Sequence, residues 1–297
     1  EDNVNAGEAL VTVTGRGKYE LAGSASRTFN IAKADSTVSA ASQKLVYTGS
    51  KLSYSGAVKS TGSAGAVTFA YFADPSCATP VKASQVKDAG VYYVVASLAA
   101  DANHEAAVSQ PATLTVQPAS IKGAKLVLSK TSLTYTGKTR VPTVKSVGGV
   151  SLKAGVDYTL KLSSASPKAA GSYALRVRGT GNYTGLSTKA SYRIAKAANP
   201  LKVTAKTAAV AGNQKKAVTV KPGKVYSFAK KPFGAVTYKR LASGSSKRLS
   251  VNGKTGAITV AKATKKNTYR VRVKVSARGD ENHKATSKTL AIRIRVK

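Results

Sequence analysis

Apolar and polar positions alternate along nearly the whole chain. The runs Ala9–Gly15, Ser26–Lys33, Val91–Leu98, Ala112–Gln117, Tyr173–Gly179, Ala190–Lys196, Thr268–Ala277 and Thr289–Lys297 all show it. A period of two turns one face of a strand to a core and the other to water. Gly, Ser, Asn, Asp and Pro interrupt the runs at short intervals, as turns require. No segment sustains a helical period. Many short alternating strands with regular turns predict an all-β chain of antiparallel sandwiches rather than α/β units.

The pattern also repeats. Asn5–Tyr19 followed by Arg27–Lys33 matches Ala169–Tyr183 followed by Ser191–Lys196. The shared frame is Ala-Gly, an alternating strand, Gly-x-Gly-x-Tyr, a polar turn and a second strand ending Ile-Ala-Lys. Gly7 to Tyr19 and Gly171 to Tyr183 are both 12 residues apart. Self-similarity of this kind marks an array of small units. Strand ends at Ile31-Ala-Lys33, Leu114-Thr-Val-Gln-Pro118 and Ile194-Ala-Lys196 set the expected boundaries. They give residues 1–34 as the second half of a truncated repeat, then repeats at 35–118 and 119–198, and a last unit at 199–297. The first copy lacks the front half present in the second, so the chain is expected to be a monomeric piece of a longer protein. Linkers of a few residues imply units that touch their neighbours in an elongated rod.

Several motifs carry a resemblance. Tyr135-Thr-Gly-Lys138, Asp157-Tyr158, Ala-Gly-Ser-Tyr173, Gly179-Thr-Gly-Asn-Tyr-Thr-Gly185 and Tyr192-Arg-Ile194 resemble the MBG-type immunoglobulin-like repeats of bacterial, mostly Gram-positive, surface proteins. Residues 35–118 resemble a sister subtype through Tyr47-Thr-Gly49, Ala-Gly-Val-Tyr-Tyr93 and Asp101-Ala-Asn-His104. The last unit is similar to a bacterial cadherin-like or immunoglobulin-like end unit, through Val251–Val260 and Thr268–Val273. The resemblance covers the chain and implies tandem immunoglobulin-like sandwiches on a secreted cell-surface protein. It implies little about activity, because such repeats mainly space, present or attach other modules.

Composition narrows the picture. Apolar residues make up 42% of the 297, enough for packed cores. No run approaches the roughly 18 apolar residues of a membrane span. The single Cys77 excludes an internal disulfide framework. Acidic residues are scarce, 12 against 48 basic ones, and Asp157 is the one acid between residues 106 and 279. Residues 119–297 therefore cannot build a carboxylate pair for acid–base work from their own acids, apart from Asp280 and Glu281, which are neighbours in sequence. No enzyme, catalytic residue or cofactor is expected.

His104 and His283 both fall where the repeats place Tyr19 and Tyr183, so they read as scaffold positions in a recurring turn rather than a metal pair. Calcium needs six to eight oxygens, and cadherin-like units that bind it carry acidic junction motifs missing here. Gly15-Arg-Gly17 and Gly179-Thr-Gly181 join strands, with no following helix to cradle a phosphate. A Lys–Asn isopeptide cross-link would need a buried acid, for which Asp157 is the one candidate in its unit.

The charge remains, a net +36. Residues 198–297 hold 25 of the 48 basic residues and two of the 12 acids. Period-two alternation lines Arg270, Arg272 and Lys274 along one sheet face, and Arg293, Arg295 and Lys297 along a second strand of the same sheet. If the strands are neighbours, like charges face each other unless an anion neutralises them. The face is either solvated or a seat for an anionic wall polymer or host surface glycan. Without interleaved exposed aromatics, nucleic acid would bind nonspecifically at most. The expected function is a non-catalytic stalk presenting an upstream domain. The alternative is an attachment module whose basic last unit binds polyanions.

Overall fold

The computed structural model describes residues 3–297. Its chain divides by contacts into two compact units. One comprises Glu1–Lys125, Val147–Leu160 and Val177–Thr188, the other Leu126–Ser146, Lys161–Arg176 and Lys189–Lys297. The fold is all-β, with sheets packed as sandwiches. The expected strands are present, several shifted by a few residues at an end; the largest revision is the last, which runs Thr286–Val296.

In the first unit, Gly7–Thr14 and Ser24–Ile31 form an antiparallel hairpin. A larger sheet follows in the order Gln43–Val46, Ala112–Gln117, Gly90–Leu98, Val67–Phe72, Pro80–Val81. The pair Thr37–Ala40 and Val58–Thr61 packs on it, Val38 meeting Ala96 and Leu98 in a buried cluster. Val86, Val94 and Leu114 make the neighbouring core.

In the second unit, Ala190–Ala195 lies between Ser132–Thr134 and the start of Gly171–Gly179. Farther on, Ala208–Val210, Thr286–Val296, Asn267–Ala277 and Val236–Leu241 form a four-stranded sheet in that order. The three-stranded sheet Val218–Val220, Ile258–Val260, Leu249–Val251 completes a sandwich with it. Val271, Val273, Val275, Ile292 and Ile294 point inward and are fully buried, which is where the alternation of the sequence put them.

One expectation needs correcting: the sheets are not purely antiparallel. Gln43–Val46 pairs in parallel with Ala112–Gln117, Ser132–Thr134 with Ala190–Ala195, and Ala208–Val210 with Thr286–Val296. Within each such block the first strand enters and the last strand leaves in the same direction. Once both lie at one edge of one sheet, they must pair in parallel. The other pairings keep a common register, Gly7 opposite Ile31, Gly90 opposite Val116, and Gly171 opposite Ile194.

Two buried serines fill equivalent roles. Ser109 Oγ accepts the Ala96 N–H at 2.9 Å, and Ser187 Oγ accepts the Val177 N–H at 3.0 Å. Each serine's own N–H donates to the carbonyl of that same partner, at 2.8 and 3.0 Å. The hydroxyl thus replaces a missing ladder acceptor in the core. Ser187→Ala strands the buried Val177 N–H, and a loss of about 1–3 kcal/mol is expected. Chemical denaturation of the whole chain measures it; an unchanged midpoint would contradict the role.

Candidate functional site

Three turns share one arrangement. In Asp101–His104, Asn103 Oδ1 accepts the Ala6 N–H at 2.8 Å, and Asn103 Nδ2 donates to Asn5 Oδ1 at 3.0 Å. In Thr180–Tyr183, Asn182 Oδ1 accepts the Ala89 N–H at 2.7 Å, and Nδ2 donates to Asp88 Oδ1 at 2.9 Å. In Asp280–His283, Asn282 Oδ1 accepts the Ala170 N–H at 2.8 Å. Each Ala N–H immediately precedes the glycine that opens a strand: Gly7, Gly90 or Gly171. The backbone carbonyls of the same three asparagines accept the N–H groups of Ala34, Ala119 and Ala197, at 2.9, 2.9 and 2.8 Å. One residue per turn therefore ties together a strand start and the connecting segment. Lys33 and Lys196 add ammonium bonds to the carbonyls of Asp101 and Asp280, at 2.6 and 2.7 Å.

Two of the turns are pinned by their own aspartates. Asp101 Oδ1 accepts the N–H groups of Asn103 and His104, and Asp280 Oδ1 those of Asn282 and His283. These are Asx-turns, the local chemistry that favours Asp at such positions. The N–H of Ala64, then that of Asn103, hold the Asp101 carboxyl below the usual carboxylate range against burial. At Asp280 burial pushes upward, and the His283 ring with the Asn282 and His283 N–H groups outweighs it, leaving its pKa lowered.

At the aromatic position, two of the three turns make ring contacts. Tyr183 meets Tyr47 edge-on at 5.4 Å and 80°, and His283 meets Tyr135 at 5.4 Å and 84°. Phe233 stacks flat on His283 at 3.6 Å. Tyr47 and Tyr135 are the tyrosines of the two Tyr-Thr-Gly motifs, whose rings close the turn by edge-to-face contact. His104 and His283 sit in separate turns, each with Nδ1 at 2.9 Å from its own aspartate. Among the described residues no three His, Cys, Asp or Glu side chains cluster closely enough to hold a metal ion. Tyr19, aligned with these positions in the sequence, lies instead in the 3-10 turn Gly17–Ala22 and is exposed. Asp157 is spent on a turn, its carboxylate accepting the Lys153 N–H at 2.8 Å.

The cationic residues are brought onto one face, with two exceptions. Arg270 lies directly opposite Arg293 and Thr268 opposite Arg295, all facing away from the core. Lys274 lies opposite Lys239 across the neighbouring pair of strands. Arg272 shares the face, but its Nη1 leans 3.4 Å from the Ser243 carbonyl and its backbone N–H donates to Ser245 Oγ, so it braces a loop. Lys297 falls beyond the strand; its N–H bonds Val210 O and its carbonyl accepts the Gly212 N–H. Three further cations join the face. Arg278 continues the outward phase of Arg270 and Lys274, a signal present in the alternation. Lys239 and Lys206 arrive from other strands and loops, which no local pattern reveals. A shallow cleft of about 380 Å³ is lined by Ala205, Lys206, Thr207, Arg270, Ala291 and Arg293. Among the described residues no salt bridge joins these cations to a carboxylate.

No protein-family model matches the chain, and no curated protein matches it. Among solved structures it is similar to extracellular cadherin domains. Protocadherin gamma B2 domains 3–6 match at 13% identity and TM-score 0.30, covering 89% of this chain and 72% of that one. Mouse cadherin-23 EC22–24 matches at 12% identity and TM-score 0.30, covering 89% and 99%. Drosophila N-cadherin EC1–4 matches at 13% identity and TM-score 0.26, covering 88% and 75%. Values this low transfer nothing from those proteins to this one. No helix among the described residues is long and apolar enough to cross a membrane.

Asn282→Ala leaves the Ala170 N–H without its acceptor, and its amide should exchange about tenfold faster, the equivalent of one lost hydrogen bond. Unchanged protection would show the side chain to be dispensable. A depressed aspartate contributes stability above its unfolded pKa, near 4, and loses it as pH falls toward the folded value. The turns at Asp101 and Asp280 should therefore loosen below about pH 4. Thermal midpoints followed from pH 6 downward test this; Asp101→Asn and Asp280→Asn should flatten the decline, and an identical decline in both variants would refute it.

Proposed function

We propose that this chain is a non-catalytic stalk of a bacterial surface protein, built of sandwich units at 35–118, 119–198 and 199–297, preceded by residues 1–34. The observation that carries the reading is the asparagine clamp, in which three times a side-chain oxygen takes the N–H ahead of a strand-opening glycine and the same residue's carbonyl takes an alanine N–H of a connecting segment. A spacer needs this: each unit holds its neighbour through fixed backbone bonds, so length is gained without new chemistry. The acids support a non-catalytic role, since Asp74, Asp101, Asp157 and Asp280 are all consumed in turns. The bacterial surface assignment rests on the resemblance of the Tyr-Thr-Gly and Ala-Gly-x-Tyr motifs to MBG-type repeats.

Solution scattering of the whole chain tests the stalk. The largest dimension should stay constant between low and high salt in the wild type. It should spread to a broad distribution in the Asn103→Ala, Asn182→Ala, Asn282→Ala triple variant. Identical distributions in wild type and variant would sink the clamp as the source of stiffness. A second reading is favoured by one specific observation, the outward cations of the last four-stranded sheet: the end unit also attaches the stalk to a polyanion.

A further inference from the structure

We infer that the cleft between Arg270 and Arg293 is a seat for the phosphate of a phosphodiester polymer. The inference rests on the polyanion reading above and names its ligand and its anchoring point. Arg270 and Arg293 are directly opposed across an antiparallel pair, so their Cβ atoms stand about 5 Å apart with both guanidinium groups on the solvent side. Such a like-charge pair destabilises the sheet unless an anion bridges it. Lys206 and Thr207 form the third wall, adding an ammonium and a hydroxyl to the same cleft.

Three cations converging on one small cleft select among anions. A carboxylate's two oxygens lie in one plane and match a single guanidinium fork side by side. A tetrahedral phosphate can present separate oxygens to two forks diverging from two strands, and still reach the lysine. Lys274 and Arg278 continue the outward row of the Arg270 strand, at intervals of multiples of about 6.7 Å, the spacing of every second residue. They line a second cleft with Ser276 and Ser287. A linear chain seated at Arg270 and Arg293 can therefore run along the strand and meet further cations.

The face also selects against other polymers. Its outward positions between the arginines and Arg278 are Thr, Ser, Ala, Lys and Arg, while Tyr269 and Tyr238 pack against the core. Nucleobases and sugar rings find no aromatic surface to stack on. A thin polyol phosphate chain needs none.

The test uses the whole chain and inorganic polyphosphate as probe, with binding followed over a salt series. Wild type should bind with a steep loss of affinity as salt rises. Arg270→Lys with Arg293→Lys keeps the charge but removes both forks, and should weaken binding about tenfold. Arg270→Ala with Arg293→Ala should weaken it about 100-fold, while the equal charge loss of Lys216→Ala with Lys254→Ala, at exposed loop lysines, should cost less than about threefold. Equal losses in the two alanine pairs would overturn the cleft and leave diffuse polyanion binding standing. No salt-dependent binding by wild type would end both readings. Heparin or polyglutamate bound at least as tightly, through the same two arginines, would overturn the phosphate assignment. Thermal melting controls for folding; if the alanine pair does not fold, the lysine pair decides.

Discussion

The carboxamide oxygen of one asparagine per turn is the constraint on which the assembly of blocks depends. The N–H just ahead of each strand-opening glycine lies outside the regular ladder and needs an acceptor from elsewhere. The turn of the following block supplies it at Asn103, Asn182 and Asn282. The same residue's carbonyl holds the connecting segment, so strand start and linker cannot shift independently. The turn must then be rigid, which explains the Asx bonds of Asp101 and Asp280 and the glycine at 279. Gly279 has φ 78°, and a Cβ there would strike the His283 carbonyl. Coupling between nearest neighbours of this kind is what lets a repeat array behave as a sum of units and interfaces.

Charge is sorted around that scaffold. Asp74, Asp101, Asp157 and Asp280 are spent on hydrogen bonds within turns, and the last four-stranded sheet itself carries no acid. The last four-stranded sheet consequently opposes Arg270 with Arg293 and Lys239 with Lys274. Stability there comes from the other side of the same strands, where Val271, Val273, Val275, Ile292 and Ile294 are fully buried. Alternation makes the two faces separable: the core can be optimised while the outer face carries repulsion that a ligand would relieve. Arg240 shows the contrasting fate, its guanidinium bonded to the carbonyls of Ser245, Ser246 and Leu249 and so unavailable outside.

Much of this was legible in the residues. Period-two alternation located the strands and the outward arginines, because it reports directly on which face meets the core. The repeat identified the turn shared by His104, Tyr183 and His283, and read its histidines as scaffold. What the turn does was hidden. The partners of Asn103, Asn182 and Asn282 lie 93 to 112 residues away in chain, and a backbone N–H leaves no mark in sequence. Parallel pairing was hidden too, since strand direction follows from how a block is entered and left. The same cause kept Lys206 out of sight: it lines the cleft with Arg293 because Ala208–Val210 lies alongside Thr286–Val296. Lys297 lies one residue past the strand's end at Val296, where alternation runs on although the residue's backbone is tied to Val210 and Gly212.

The hairpin Gly7–Thr14/Ser24–Ile31 shows what strand pairing alone achieves. It has the same register as the later pair, with Gly7 opposite Ile31 as Gly171 is opposite Ile194. By that register Val11, Val13 and Phe29 correspond to Leu175, Val177 and Tyr192. The former are 44%, 67% and 43% exposed, the latter 1%, 0% and 4%. The ladder bonds are equivalent, so the difference belongs to what covers the face. Among the described residues no second sheet covers that face of the hairpin. In the later blocks a parallel first strand and an opposing sheet remove those side chains from solvent, at roughly 1.5–3 kcal/mol for each large apolar residue fully buried. The hydrogen-bonded register therefore specifies the repeat, and burial by the layers around it stabilises the repeat.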